Sequence, residues 1–214
     1  MNTHVRLDQT SGLPLEPYHE GAPGPTTQAA EGLPRRAFTI DDLERMQDAG
    51  IIGAKERIEL IGGELVPMSA KGYRHEIMKS RLNRHFSKIV PNDLELVTET
   101  SYRLTPTFML EPDVVVFPFG GLKGLDGGRA LLVVEIADSS LTFDLKRKAP
   151  FYAGFGVREY WVINAVKLTT TIHRDPSDEG YATITEHAEH ETLTPHLAPM
   201  LAVSLAALDV REDE

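Results

Sequence analysis

The chain has 214 residues, no cysteine, and 32 acidic against 22 basic side chains, for a net charge of −10. Its length suits one domain with a sizeable core, and the absence of cysteine excludes disulfide frameworks, thiolate metal sites and cysteine nucleophiles. The acidic balance argues against gripping nucleic acid through a broad positive field, because such affinity scales with the phosphates neutralised.

Residues 1–36 are rich in Pro, Gly, Thr and Glu without helical or strand period, which predicts a flexible leader ahead of a single domain over 37–210. No basic region followed by an apolar run is visible, and the longest apolar stretches are strand-sized, so a cytoplasmic protein without a membrane span is expected. Thr39 as N-cap, Asp41 and Asp42 in the first turn and Gly50 as the stop predict a helix over about 40–49. In 57–66, two β-prone runs flank Gly62-Gly63, the pair a tight primed turn tolerates best, so a hairpin follows.

Between Tyr73 and Val90, Ile77, Met78, Leu82, Phe86 and Ile89 recur at helical spacing, with Arg74, Arg81, Arg84 and Lys88 on the other side. That basic face reads either as a solvated outer surface or as a phosphate-facing one. Strand patterns follow over 94–104, 113–117 and 131–137, separated by a Pro-rich turn and a Gly-rich loop over 120–128. The third run is apolar on both faces except for Glu135, as a doubly covered central strand reads. Asp144 is placed to cap a helix to about Phe155, Gly156 ends it, and 159–164 returns as a strand, so the order suggests a crossover unit in a mixed sheet. A hairpin over 167–174 and 180–185 and an apolar tail over 192–208 complete the expected fold.

Metal-dependent phosphodiester cleavage needs hard oxygen ligands converging on a divalent cation and benefits from a positive side chain near the developing charge. Asp113, at the start of one strand, and Glu135, near the end of another, meet the first need if the strands are adjacent, and Lys148 on the following helix meets the second. Glu59 reads equally as a further metal-shell residue or a solvent-facing strand residue. His75 reads as a proton-transfer or carboxylate-orienting group, or more simply as a polar residue at a helix start. Asp113 also fits an ordinary turn after proline, and Glu135 a salt bridge to Lys148, since an unpaired charge there costs several kcal/mol. Rival chemistries lack parts: Lys79 stands where a metalloprotease helix starting at His75 needs its second histidine, and neither a Gly-x-Ser-x-Gly elbow nor a Walker loop occurs.

Pro112-Asp113 followed by Glu135 at the end of an apolar strand resembles the PD-(D/E)xK nuclease signature. The surroundings are similar, more narrowly, to the Uma-two-type restriction endonuclease family. The matching stretches are Glu59-Leu-Ile-Gly-Gly-Glu-Leu-Val-Pro-Met68, His75, Glu111-Pro-Asp-Val-Val-Val116, Val134-Glu-Ile-Ala-Asp-Ser-Ser140, Asp144 with Lys148 and Tyr152, and Gly156-Val-Arg-Glu-Tyr-Trp-Val-Ile163, within about 38–208. The resemblance implies an α/β, mixed α+β fold of restriction-endonuclease-like type, a mixed sheet flanked by helices. It also implies Mg²⁺ held by Asp113 and Glu135, with Mn²⁺ as a substitute, a catalytic lysine, DNA as substrate and a homodimer. The superfamily's lysine usually lies two residues beyond the acidic one, where this chain has Ala137; the family is similar in moving it to the next helix, which makes Lys148 the replacement and Lys146 the reserve. Pro150 is expected to remove a hydrogen bond from that helix or bend it. A non-catalytic scaffold keeping the fold, and a nuclease acting on RNA or other nucleotides, are the alternatives.

Overall fold

A computed structural model describes residues 36–121, 125, 128–177 and 179–210. The expected leader therefore lies outside the described residues apart from Arg36, as does most of the Gly-rich loop. Helix α1 (Ile40–Asp48) opens on a full capping box: Thr39 Oγ1 accepts from the Asp42 amide at 3.1 Å, and the Asp42 carboxylate accepts from the Thr39 amide at 3.1 Å. Its Leu43 packs against Ile52 and Ile58, with Met46 alongside. Strands β1 (Ile58–Ile61) and β2 (Glu64–Pro67) pair across Gly62 and Gly63, whose φ of 60° and 83° lie where only glycine is unstrained.

Helix α2 (Tyr73–Ile89) buries Met78, Leu82 and Phe86 and leaves Arg74, Arg84 and Lys88 exposed. The stretch expected as one strand over 94–104 is instead two, β3 (Leu94–Val97) and β4 (Tyr102–Thr105), which join different sheets. The break falls at Glu99, held at φ 49° with its amide bonded to the Pro112 carbonyl. A left-handed residue re-aims the chain, and a bulky one leaves no mark of this in the hydrophobic pattern. The short β5 (Phe108–Leu110), read from sequence as part of a turn, pairs with β4 and with β1.

Two sheets result where one was expected. The smaller has the order β2-β1-β5-β4 and is antiparallel throughout. Strands β6 (Val114–Pro118), β7 (Leu132–Ala137), β8 (Glu159–Asn164), β9 (Thr169–Ser177) and β10 (Gly180–His187) build the larger, with the order β10-β9-β8-β7-β6-β3. Only β7 and β8 are parallel, so this sheet is mixed, and the expected crossover joins them. Alternation along its strands sends Val114, Val116, Leu132, Val134, Trp161 and Ile163 to one face, under α2 and the C-terminal tail. The opposite face presents Val115, Phe117, Val133 and Val162. Both faces are covered, which is why β7 reads as an apolar run.

The crossover differs from the helix expected to start at Asp144. It comprises α3 (Leu141–Phe143), a π-helical turn over Asp144–Lys148, and α4 (Ala149–Gly154). Asp144 thus sits inside the helical segment, where its carboxylate accepts from Ser140 Oγ at 2.5 Å, rather than capping it from outside. Pro150, second in α4, supplies the physical reason for the widened turn: it lacks an amide hydrogen and its ring crowds the preceding turn, so the hydrogen-bonding lengthens to Ala149 N–H with Asp144 O. The mixed α+β class, with helices flanking sheet, is the one expected from sequence; the division into two sheets is not.

Candidate active site

A cavity of about 340 Å³ opens between the end of β2, the loop leading into α2, the end of β7 and the π-helical turn. Its walls carry Glu59, His75, Asp113, Glu135 and Lys148. The structure therefore brings together all five side chains singled out in the sequence, and each is at most 5 % exposed.

Asp113 stands just before β6, where antiparallel pairing with β7 sets it beside Ile136. Its Oδ2 accepts from the Ile136 amide at 2.7 Å and from His75 Nε2 at 3.0 Å, while Oδ1 accepts from Lys71 Nζ at 2.6 Å. Burial opposes ionisation here, but the hydrogen bond and charge of His75, together with Lys71, outweigh it and hold the carboxyl at about 2. His75 comes from the first turn of α2, and its buried ring lies against Asp113 rather than in solvent.

Since the Asp113 carboxyl lies below its ordinary 3.8, its ionised form stabilises the fold fully above about pH 4, and this contribution is lost as pH falls towards 2. Urea denaturation of the wild type and of Asp113→Asn at about pH 5 and about pH 3 tests this. The variant is expected to lose less stability across that interval; equal losses would mean that Asp113 carries no such linkage.

Glu135 projects from β7 into the apolar layer opposite α2. Its Oε1 accepts from Lys148 Nζ at 2.9 Å and from Tyr152 Oη at 3.0 Å. Burial drives its carboxyl well above the ordinary range; Lys148 opposes this, and the carboxylates of Asp144, Asp113 and Glu59 reinforce it. Glu59, on β1, accepts from Lys148 at 2.9 Å and from the Glu111 amide at 3.0 Å through Oε1. At 3 % exposure it is not the solvent-facing strand residue that the sequence also allowed. Lys148 Nζ thus bridges Glu59 and Glu135, with Asp144 at 4.0 Å. Burial disfavours its charge, but Glu135, Glu59 and Asp144 outweigh that and raise its pKa, so it is an ammonium. The π-helical turn ends on Lys148, and this is the element that turns its side chain inward; Lys146, the reserve, is exposed.

Among the described residues, no three His, Asp or Glu side chains converge as a ready-made metal cage. Mg²⁺ does not need one, because it keeps several waters and is commonly held by one or two carboxylates with substrate oxygens. The donor chemistry fits such an ion: the carboxylates are hard, and burial together with the neighbouring carboxylates disfavours the charge on Glu135, which a dication would relieve.

Sequence reasoning missed the cations beside the cavity. Lys71 bonds Glu99 at 2.8 Å as well as Asp113, Lys79 bonds Glu99 at 2.9 Å, and Arg57 bonds Glu99 at 3.2 Å and also Glu111. Burial raises the Glu99 carboxyl, but Lys71 and Lys79 dominate and hold it at about 2. An isolated lysine in a loop carries no periodic or motif signal, so only the folded geometry discloses it.

The mixed sheet and its crossover define a fold class that a solved structure shares. A solved structure, a putative nuclease belonging to DUF820 from Anabaena variabilis, superposes with a TM-score of 0.64 at 16 % identity, over 80 % of this chain and 97 % of that one. The match shows a shared fold. The chain belongs to the Uma2 family, described as "Putative restriction endonuclease", whose model matches residues 40–209. No curated protein matches it. No helix among the described residues is long and apolar enough to cross a membrane.

Proposed function

We propose that this chain is a metal-dependent endonuclease hydrolysing DNA phosphodiesters, with Asp113 and Glu135 holding Mg²⁺, or Mn²⁺ in its place, and Lys148 as the catalytic lysine. The observation that carries the reading is the joint burial of the Asp113 and Glu135 carboxylates and the Lys148 ammonium on the wall of one cavity. Burying these three ionisable groups, with Glu59 beside them, costs several kcal/mol that apolar side chains of similar volume would not, and such a cost is retained where the groups have chemistry to do. Membership of a family described as restriction endonucleases supports the same reading.

The ion, when bound, acidifies a water and offsets negative charge on the phosphate. Lys148, being held as an ammonium by three carboxylates, donates hydrogen bonds to the water or to the charge developing on the phosphate, and is not the group that accepts a proton. Glu59 fixes the Lys148 head group together with Glu135. His75 orients Asp113. A nucleic-acid substrate is supported by the exposed Arg74, Arg84 and Lys88 on α2, the helix that also delivers His75, because they give an acidic protein a local positive face, and the family's description as restriction endonucleases supports DNA. A homodimer belongs to the same proposal.

Incubation of the purified protein with plasmid, single-stranded DNA and RNA, in Mg²⁺ or Mn²⁺ and in EDTA, tests the reading. DNA cleavage that EDTA abolishes is expected. Cleavage of RNA alone would move the substrate, and neither cleavage nor metal uptake would leave a scaffold that keeps the fold.

A further inference from the structure

We propose that Lys71 is a tethered cation seated on the metal-facing oxygen of Asp113, competing with the divalent ion for that oxygen. The inference rests on the reading of Asp113 as a metal ligand. It starts from the lone pairs of that carboxylate. Oδ2 is filled by two partners, the Ile136 amide at 2.7 Å and His75 Nε2 at 3.0 Å. Oδ1 has Lys71 Nζ at 2.6 Å. An ion taking Asp113 therefore approaches Oδ1, where an ammonium already lies at contact distance, and two cations on one oxygen repel strongly.

Lys71 has somewhere else to go. Its Nζ also lies 2.8 Å from Glu99 Oε1, so leaving Asp113 does not strand the ammonium. Residues 68–72, which carry it, form no regular secondary structure between β2 and α2 and line the cavity, so the side chain is not fixed by a helix or a ladder. In the metal-free protein the contact compensates a carboxylate that is only 2 % exposed. Lys71 thus trades between two carboxylates, and the ion's affinity is set by what that exchange costs.

Calorimetric titration of Mn²⁺ into the wild type, Lys71→Met, Lys71→Gln and Lys79→Met tests the inference. Lys79 is the control: it shares Glu99 with Lys71 and carries the same charge, but has no contact with Asp113 among those described. Removing the competitor is expected to lower the apparent Kd for Mn²⁺ about tenfold in either Lys71 variant, against less than about twofold in Lys79→Met. Circular dichroism establishes that each variant is folded, and Lys71→Gln, which keeps a hydrogen-bond donor, covers a Lys71→Met that is not. Equal affinity in the wild type and the Lys71 variants would overturn the inference while leaving the metal site standing. A Lys79→Met gain as large as that of Lys71 would also overturn it, by showing a general field effect. Mn²⁺ uptake by none of the proteins would remove the metal reading itself and the inference with it.

Discussion

Glu135→Gln is expected to abolish metal-dependent cleavage, by about a thousandfold or more, while leaving the metal-free protein at least as stable as the wild type. The two effects have one origin. Burial and the carboxylates of Asp144, Asp113 and Glu59 hold the Glu135 carboxyl well above its ordinary range, so its ionised form opposes folding at neutral pH. An amide keeps the shape and an oxygen to accept from Lys148 and Tyr152, and removes the charge that the fold tolerates and the ion requires. Thermal denaturation in EDTA, beside single-turnover cleavage in Mg²⁺, reads both. A variant that loses activity together with several degrees of thermal midpoint would mean that Glu135 is an ordinary structural ion-pair member.

Lys148→Met is expected to behave in the opposite way on stability, losing about 3 kcal/mol as well as activity, because breaking a buried ion pair from one side leaves uncompensated charge. Glu59 and Glu135 both bond Lys148 Nζ, and both are almost fully buried, so two carboxylates lose their cation at once. Adding Glu135→Gln to the Lys148 variant is expected to return part of that loss, since only one carboxylate then lacks a partner. Urea denaturation of the wild type, the two single variants and the double variant measures the coupling. Additive effects would show that the lysine and Glu135 do not share the energy their 2.9 Å contact implies.

The parts of this site that can be read in the chain are those where a residue type conflicts with its surroundings. Glu135 stands in a run apolar on both faces, and the covered central strand β7 explains why the run looks that way. Thr39 and Gly62-Gly63 act through local hydrogen bonds and local φ, so the N-cap and the turn were legible too. What was hidden depends on contacts between distant segments. Strand β5 has three residues, too few for a period to show, and exists because β1 and β4 flank it. The break at Glu99 needs a left-handed residue that is not glycine. The expectation of a helix from Asp144 treated Pro150 as a local fault, whereas its effect is to widen the preceding turn and set the direction of Lys148. The leader and the single-domain boundary fall where nothing described bears on them.

The hydrogen bond between Lys148 and Glu59 spans 89 residues of chain, that between Asp113 and His75 spans 38, and that between Asp113 and Ile136 spans 23. No hairpin or helix pair contains the cavity, so it comes into being only when the two sheets and the crossover are all in place. Occupancy and folding are consequently one equilibrium seen from two ends: a ligand present at about 100 times its Kd adds about 2.7 kcal/mol to the stability of the whole chain. By the same linkage, a substitution far from the cavity that destabilises either sheet until the unfolded chain is appreciably populated weakens apparent binding there without touching the ligand.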